Sequence, residues 1–306
     1  MELRDIEYFA VVAEHRNLGR AAEALGLSPT ALSKSLRRLE KSLQAKLVNR
    51  TAKGVDLTVE GDALLSHVRG LRLSLADIAS EVSDLAQGRV GRVRIGASPS
   101  MVVEHLLANA FAALTKTSPK VTLAITVEQA EITRRALRDG KVDLVISTLL
   151  ALPDETLVQE FLIEDNFVPV APATHPLAKK KRPTIQDLAR ERWVLSPANT
   201  AIRRRFDQLF AEHGITPPVP VAEISPALLK LRMAATSDLL CFQSAWWLDK
   251  QPPGMELVRI PVPEMTFRRR IGVIYRKAAY LSPAARRFLE ILRTTAKEMA
   301  VGKRSA

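Results

Sequence analysis

Between Ser28 and Gly54 the chain concentrates residue types that bind polyanions. Thr30, Ser33, Lys34, Arg37 and Lys41 fall at spacings of 3, 1, 3 and 4, so a helix would carry all five on one face. Hydroxyls and cations with no acid among them suit base edges and phosphates in a DNA major groove. On the other side Leu32, Leu36, Leu39 and Leu43 repeat at 4, 3 and 4, one apolar stripe for a core. Across residues 28–54 there are seven basic side chains against a single acid, Glu40. The same pattern also fits an αα-hairpin with a solvated basic face, so the flanks must decide.

A second group of candidate residues is spread over the remainder. Ser98, Pro99, Ser100 and Met101 follow one predicted strand and open a helix; Thr148 follows another. Ser196, Asn199 and Thr200 precede a further helix, with Arg203 in its first turn. Unpaired amides and hydroxyls at a helix start form a ready anion site. Each hydroxyl is equally able to serve as a helix cap or turn residue, and the run Arg203 to Arg205 equally suits a solvated surface. Lys179 to Arg182 reads as a solvated loop.

Enzyme signatures are absent: no G-x-x-x-x-G-K-[ST], G-x-S-x-G or H-E-x-x-H occurs. The five histidines are scattered and the single cysteine, Cys241, lies in the apolar run LLCF. That setting suits an inert core thiol, and neither a disulfide within the chain nor a zinc site is expected. No apolar run approaches the ~18 residues of a membrane span. The charged start MELRDIEYFA lacks a signal-peptide core, which predicts a cytoplasmic protein. Net charge is +12 over 306 residues, yet the first 90 carry thirteen bases and twelve acids. The local basic cluster is therefore more informative than the total.

Elements must hold these groups in place. The spacing predicts a first helix from about Glu2 to His15, with Leu3, Ile6, Phe9, Ala10 and Ala13 inward. A second follows, capped by Asn17 and closed by Gly26, and a third opens on Ser28-Pro29 and runs to about Leu43. Leu47-Val48 and Val55 to Leu57 flank a basic tip at Thr51–Gly54, a two-stranded wing that would hold Arg50 and Lys53 near a phosphate backbone. Thr58 caps a long helix to about Gln87. In it Leu64, Val68, Leu71, Leu75, Ile78, Val82 and Leu85 repeat at 4, 3, 4, 3, 4 and 3, a heptad seam that predicts dimerisation.

After the short hinge Gln87-Gly88-Arg89, strands alternate with helices: Val93–Ala97, a helix to about Thr117, Val121–Val127, Glu131–Asp139, Val142–Ser147. A second unit follows with Phe167–Ala171, Thr184–Arg190, Trp193–Leu195, Ala201–His213, Val219–Ile224, Pro226–Ala235 and Leu239–Phe242. The chain then returns through Ile271–Tyr275 and a closing helix, Ser282–Ala300. This is an α/β class with two lobes and crossing connections.

Residues 1–88 resemble the N-terminal region of the LysR-type transcriptional regulators. The resemblance rests on Leu3, Phe9, Ala21-Ala22, Leu25, Ser28, Leu32-Ser33, Leu39-Glu40, Leu47, Arg50-Thr51, Gly54, Leu57-Thr58 and Gly61. RVRIGAS, LRDGKVDLVIST, HPLA and the DLA…WVL pair extend it over nearly the whole chain. Departures are Val48 where the family often has Phe, Pro29 where it often has Gln, Asn17-Leu18 in place of its usual serine, and Thr236–Leu239 where it often has glycines. Pro29 shifts direct base readout to Thr30, Ser33 and Lys34.

The resemblance implies a winged helix-turn-helix over 1–58, a linker helix over 59–88, and an effector domain over 91–301 similar to periplasmic binding proteins. Lobe I would span about 91–163 and 268–301, and lobe II about 164–267. The candidate DNA-contacting residues, from helix face, basic cluster and wing, are Arg20, Ser28, Pro29, Thr30, Ser33, Lys34, Arg37, Arg38, Arg50, Thr51 and Lys53. The resemblance implies effector contact by Ser98, Ser100, Thr148 and Thr200; the helix starts add Pro99, Met101, Ser196, Asn199 and Arg203 as candidates. The expected partners are double-stranded promoter DNA, further copies as homodimer or homotetramer, and a small organic acid, with RNA polymerase as a candidate; no cofactor, catalytic residue, metal or membrane contact is expected. The rival reading is a two-lobed solute-binding or transferase-like protein whose N-terminal helix only oligomerises it; the basic helix face and wing speak against it.

Overall fold

A computed structural model describes residues 2–51, 54–87, 91–152 and 154–302. The chain divides into two compact units, 1–88 and 89–306.

In the first unit, α1 (Leu3–His15), α2 (Leu18–Ala24) and α3 (Pro29–Leu43) pack around Phe9, Ala21, Leu32 and Leu39. The caps are local chemistry. Asn17 Oδ1 accepts from the Arg20 amide at 3.0 Å, and Ser28 Oγ accepts from the Ala31 amide at 3.2 Å. Gly26 takes φ +64° between α2 and α3, a left-handed turn that glycine adopts without steric cost. The apolar stripe of α3 stops at Leu39: Leu43 is exposed, because Gln44 turns left-handed and ends the helix there.

Strands β1 (Val48–Thr51) and β2 (Gly54–Leu57) pair antiparallel as the wing. Gly54 has φ +136°, and a Cβ there would lie 2.3 Å from the Arg16 carbonyl oxygen, so only glycine fits under the end of α1. Thr58 Oγ caps α4 (Val59–Gln87), accepting from the Gly61 amide at 3.0 Å. The predicted seam of α4 divides. Val68 is buried in its own unit beside Leu65, whereas Leu71, Leu75, Ile78 and Val82 are exposed at 39%, 48%, 56% and 59%. The Leu85 side chain lies outside the described residues.

The second unit is one sheet, nine-stranded among the described residues, with helices on both faces. Lobe I contributes β3 (Arg92–Ala97), α5 (Met101–Thr117), β4 (Thr122–Val127), α6 (Ala130–Arg138) and β5 (Leu144–Thr148), with β3, β4 and β5 parallel. Then β6 (Leu157–Pro172) crosses to lobe II, far longer than the predicted Phe167–Ala171. Its part before Phe167 carries Gln159, Glu160, Glu164 and Asp165, which hides the strand from a hydropathy reading; its pairing with β11 makes it one.

Lobe II holds α7 (Pro176–Lys179), α8 (Ile185–Ala189), β7 (Trp193–Leu195), α9 (Ala201–Ala211), β8 (Ala222–Glu223), α10 (Ala227–Ala235), β9 (Leu240–Ser244) and β10 (Leu257–Arg259). The strand predicted over Val219–Ile224 shrinks to two residues, since Pro217, Pro218 and Pro220 cannot donate to a ladder. The chain returns through β11 (Phe267–Arg276), antiparallel to both β5 and β6, and ends in α11 (Pro283–Gly302). Among the described residues no helix is long and apolar enough to cross a membrane.

Candidate functional site

The first candidate site is the outward face of α3. Thr30, Lys34, Arg37 and Lys41 are exposed, and among the described residues the side chains of Lys34 and Arg37 make no hydrogen bond or ion pair. Arg50 reaches from the wing and donates to Ser33 Oγ at 2.6 Å, so wing and helix present one surface. Thr51 is exposed beside it, and Arg20 is exposed on α2. Lys53 lies outside the described residues. The single acid of the stretch does not oppose this face: Glu40 Oε1 accepts from the Leu47 amide at 2.9 Å and fixes the entry into the wing. Ser28 and Pro29 serve the start of α3, one as cap and one at the first helical position.

Arg38 departs from the grouping with the DNA-facing cations. Its Nε donates to buried Asp5 on α1 at 2.8 Å, and Ser35 Oγ donates to the same carboxylate at 2.5 Å. The Arg38 guanidinium and the Ser35 hydroxyl hold the Asp5 carboxyl below its ordinary range against the opposing effect of burial. Arg72 of α4 likewise clamps α1, donating to Glu7 at 2.8 Å and Glu14 at 2.9 Å. Neither clamp was visible in the sequence, because the partners lie 33 and 58–65 residues apart.

The second candidate site follows from sheet register. On the lobe I side β5 ends at Thr148, opposite Ile271, and Ile271 pairs with Ile163 of β6. From lobe II, β9 runs the other way and ends at Ser244, opposite Phe167 of β6. The carboxyl ends of the two lobes therefore face each other across the middle of the crossing strands. They lie four residues apart along β6, roughly 13 Å of strand. Ligands of open α/β sheets bind beyond such strand ends.

Midway between these ends, Arg269 of β11 stands opposite Asp165 of β6. Arg269 donates to Asp165 at 2.7 and 3.0 Å and to Ser100 Oγ at 2.6 Å, and its guanidinium lies 4.5 Å over the Phe167 ring. Ser244 Oγ donates to the other oxygen of Asp165. One buried ion pair thus ties the start of α5 in lobe I to the end of β9 in lobe II.

The sequence-predicted residues distribute around this centre. Ser98 is buried, and its amide donates to the Ile146 carbonyl at 3.0 Å. The hydroxyls of Ser98 and Ser147 are buried without a partner among the described residues. Pro99 is exposed; the Met101 side chain is outside the described residues. Thr148 is half-buried at the strand end. In lobe II, Ser196 accepts from Lys230 Nζ at 3.1 Å. Thr200 caps α9, accepting from the Arg203 amide at 3.3 Å. Asn199 is exposed, and its carbonyl accepts from Arg204 at 2.9 Å.

Arg203 does not join the site as a free cation. It pairs with Asp207 at 3.0 Å and Glu223 at 2.7 Å beside the Pro217–Pro220 segment, where two acids answer one base. Sequence reasoning missed Lys230 and Arg269. The run Arg268-Arg269-Arg270 within an otherwise strand-like stretch was the available signal for the latter. Cys241 is buried as expected, and burial pushes its thiol up to about 11.

A winged helix-turn-helix unit, and a second, two-lobed α/β unit whose strand ends face each other across the crossing strands, are the parts of a ligand-responsive DNA-binding regulator. Residues 3–62 match the bacterial regulatory helix-turn-helix proteins of the lysR family, and residues 86–297 match the LysR substrate binding domain. The chain belongs to the LysR family of transcriptional regulators. It is 30% identical over 298 residues to the HTH-type transcriptional regulator GbpR of Azospirillum brasilense, covering 96% of this chain and 86% of that one. In fold it is similar to full-length CbnR solved with its target DNA, at a TM-score of 0.53 and 20% identity, covering 97% of this chain and 100% of that one. It is also similar to the CcmR regulatory domain from Synechocystis solved with 2-PG, at a TM-score of 0.61 and 21% identity, covering 68% of this chain and 99% of that one.

Proposed function

We propose that this regulator lays α3 in the major groove of promoter DNA as a homodimer or homotetramer, and that a small organic acid in the crevice of its second unit shifts the population of assembly states. The observation that carries the DNA reading is the unpartnered cationic face of α3, continued by Arg50 of the wing. Lys34 and Arg37 spend their charge on nothing within the described residues, whereas Arg38, one turn away, is committed to Asp5. The solved DNA complex of CbnR supports the same use of the fold.

The effector reading is supported by converging strand ends and by the buried hydroxyls of Ser98 and Ser147, which have no partner among the described residues. Buried polar groups ordinarily have partners. The exposed half of the α4 seam supports association of copies, and two-fold assembly suits a site with two half-sites.

Fluorescence anisotropy with DNA from the intergenic region upstream of the coding sequence tests the DNA reading. Lys34→Ala and Arg37→Ala should each weaken binding while leaving thermal unfolding unchanged. Loss of a phosphate contact should lower the slope of log K against log salt by about one. Wild-type affinity in both variants would remove α3 from the interface.

A further inference from the structure

Three cationic side chains are buried among the described residues: Arg134, Lys230 and Arg269. Arg134 pairs with Glu131 and Arg269 with Asp165. Lys230 alone has no carboxylate. The residue is 3% exposed, and its ammonium donates to Ser196 Oγ and to the Phe242 carbonyl, each at 3.1 Å. An ammonium has three protons, so one is left without an acceptor among the described residues. Cys241 is the charge-capable group beside it, but with its thiol at about 11 it stays neutral and supplies no anion. Taking an unpaired ammonium out of water is costly, and burial accordingly pushes Lys230 below its ordinary range. A chain optimised only for stability would place an apolar side chain at this point of α10, between Leu229 and Leu231.

The location gives the charge a use. Val194 pairs with Cys241, so Ser196, just past the carboxyl end of β7, lies beside the last residues of β9, and Phe242 stands two residues before the end of that strand at Ser244. Ser196 is half-buried, so the ammonium lies one hydrogen bond from a residue that reaches the surface. The turn it supports continues to Thr200, the cap of α9. Meanwhile the two other cations once available to an acid near this crevice, Arg203 and Arg269, are neutralised by their own carboxylates.

We propose that Lys230 is the specificity-determining residue of the crevice: its ammonium provides the counter-charge for the carboxylate of the effector, taken up beside Ser196. This rests on the reading of the crevice as the site of a small organic acid, and it names the group that makes the ligand an acid. A carboxylate there supplies the missing acceptor and favours the charged form that burial alone opposes. The ligand's charge, and not only its shape, is then required, and the matching amide is refused.

The test uses the full chain and a panel of succinate, malate, lactate and benzoate beside their amides, read by thermal shift and then by calorimetry for the best acid. Wild type is expected to be stabilised by one or more acids and not by the amides. Lys230→Met, and Lys230→Gln as a variant that keeps polar contact with Ser196, should fold with unchanged tryptophan fluorescence and lose about 10- to 100-fold in affinity for that acid. Arg203→Ala should keep it. Undiminished acid affinity in both Lys230 variants overturns the assignment of Lys230 while leaving the crevice an acid site. If wild type is stabilised by the amides as strongly as by the acids, the organic-acid reading itself fails, and with it the need for Lys230. A Lys230→Met protein that no longer folds leaves the Lys230→Gln result to decide.

Discussion

Removing the carboxylate of Asp165 would leave Arg269 charged and buried with Ser100 as its remaining hydrogen-bond partner among those described. Asp165 is fully buried and Arg269 is 7% exposed, so neither can turn to water without opening the middle of β6 and β11. Breaking a buried pair by removing one partner costs about 3–5 kcal/mol, most of it the penalty of the orphaned charge. For Asp165→Asn the retained hydrogen bond to Ser244 places the expected loss near the lower bound, about 3 kcal/mol. With a urea slope of about 2–3 kcal/mol/M, the midpoint should fall by roughly 1–1.5 M. All three tryptophans, Trp193, Trp246 and Trp247, belong to the second unit, so their fluorescence reports that unit. The double variant Asp165→Asn/Arg269→Met removes both charges, and its loss should be smaller than the sum of the two single losses by more than about 1 kcal/mol. Additive losses, or an Asp165→Asn protein as stable as wild type, would refute the pair as the bond between the crossing strands.

In the first unit, Asp5 titrates low because Arg38 and Ser35 favour its charged form. Its contribution to stability is therefore complete above the unfolded carboxyl value near 4 and is lost as pH falls through the lower folded value. Asp5→Ala should flatten the acid limb of the unfolding transition seen by circular dichroism; an unaltered acid limb would exclude Asp5 as its source. On α4, Leu71→Asp with Leu75→Asp places charges in the exposed half of the seam. Sedimentation should show a smaller assembly, and a mass equal to wild type would mean that the seam has no partner there.

What the amino-acid sequence determined by itself is the set of features governed by short-range physics. The Ser28-Pro29 start of α3, the Asn17 and Thr200 caps, the left-handed Gly26 and the apolar stripe through Leu39 depend on neighbours within one or two helical turns. The fold class was legible for the same reason, as strands alternating with helices. So was the outward face of α3, because a cation that pairs with nothing needs only a helix to present it. The tertiary structure alone decided which charges are spent. Arg38 and Arg203 read as free cations until Asp5 and Glu223 arrive from 33 and 20 residues away, and Arg269 was missed because Asp165 lies 104 residues from it. Lys230 was missed because its partners, Ser196 and the Phe242 carbonyl, lie 34 and 12 residues away. Burial and long-range pairing fix the energy of a charge, and neither can be computed from spacing along the chain.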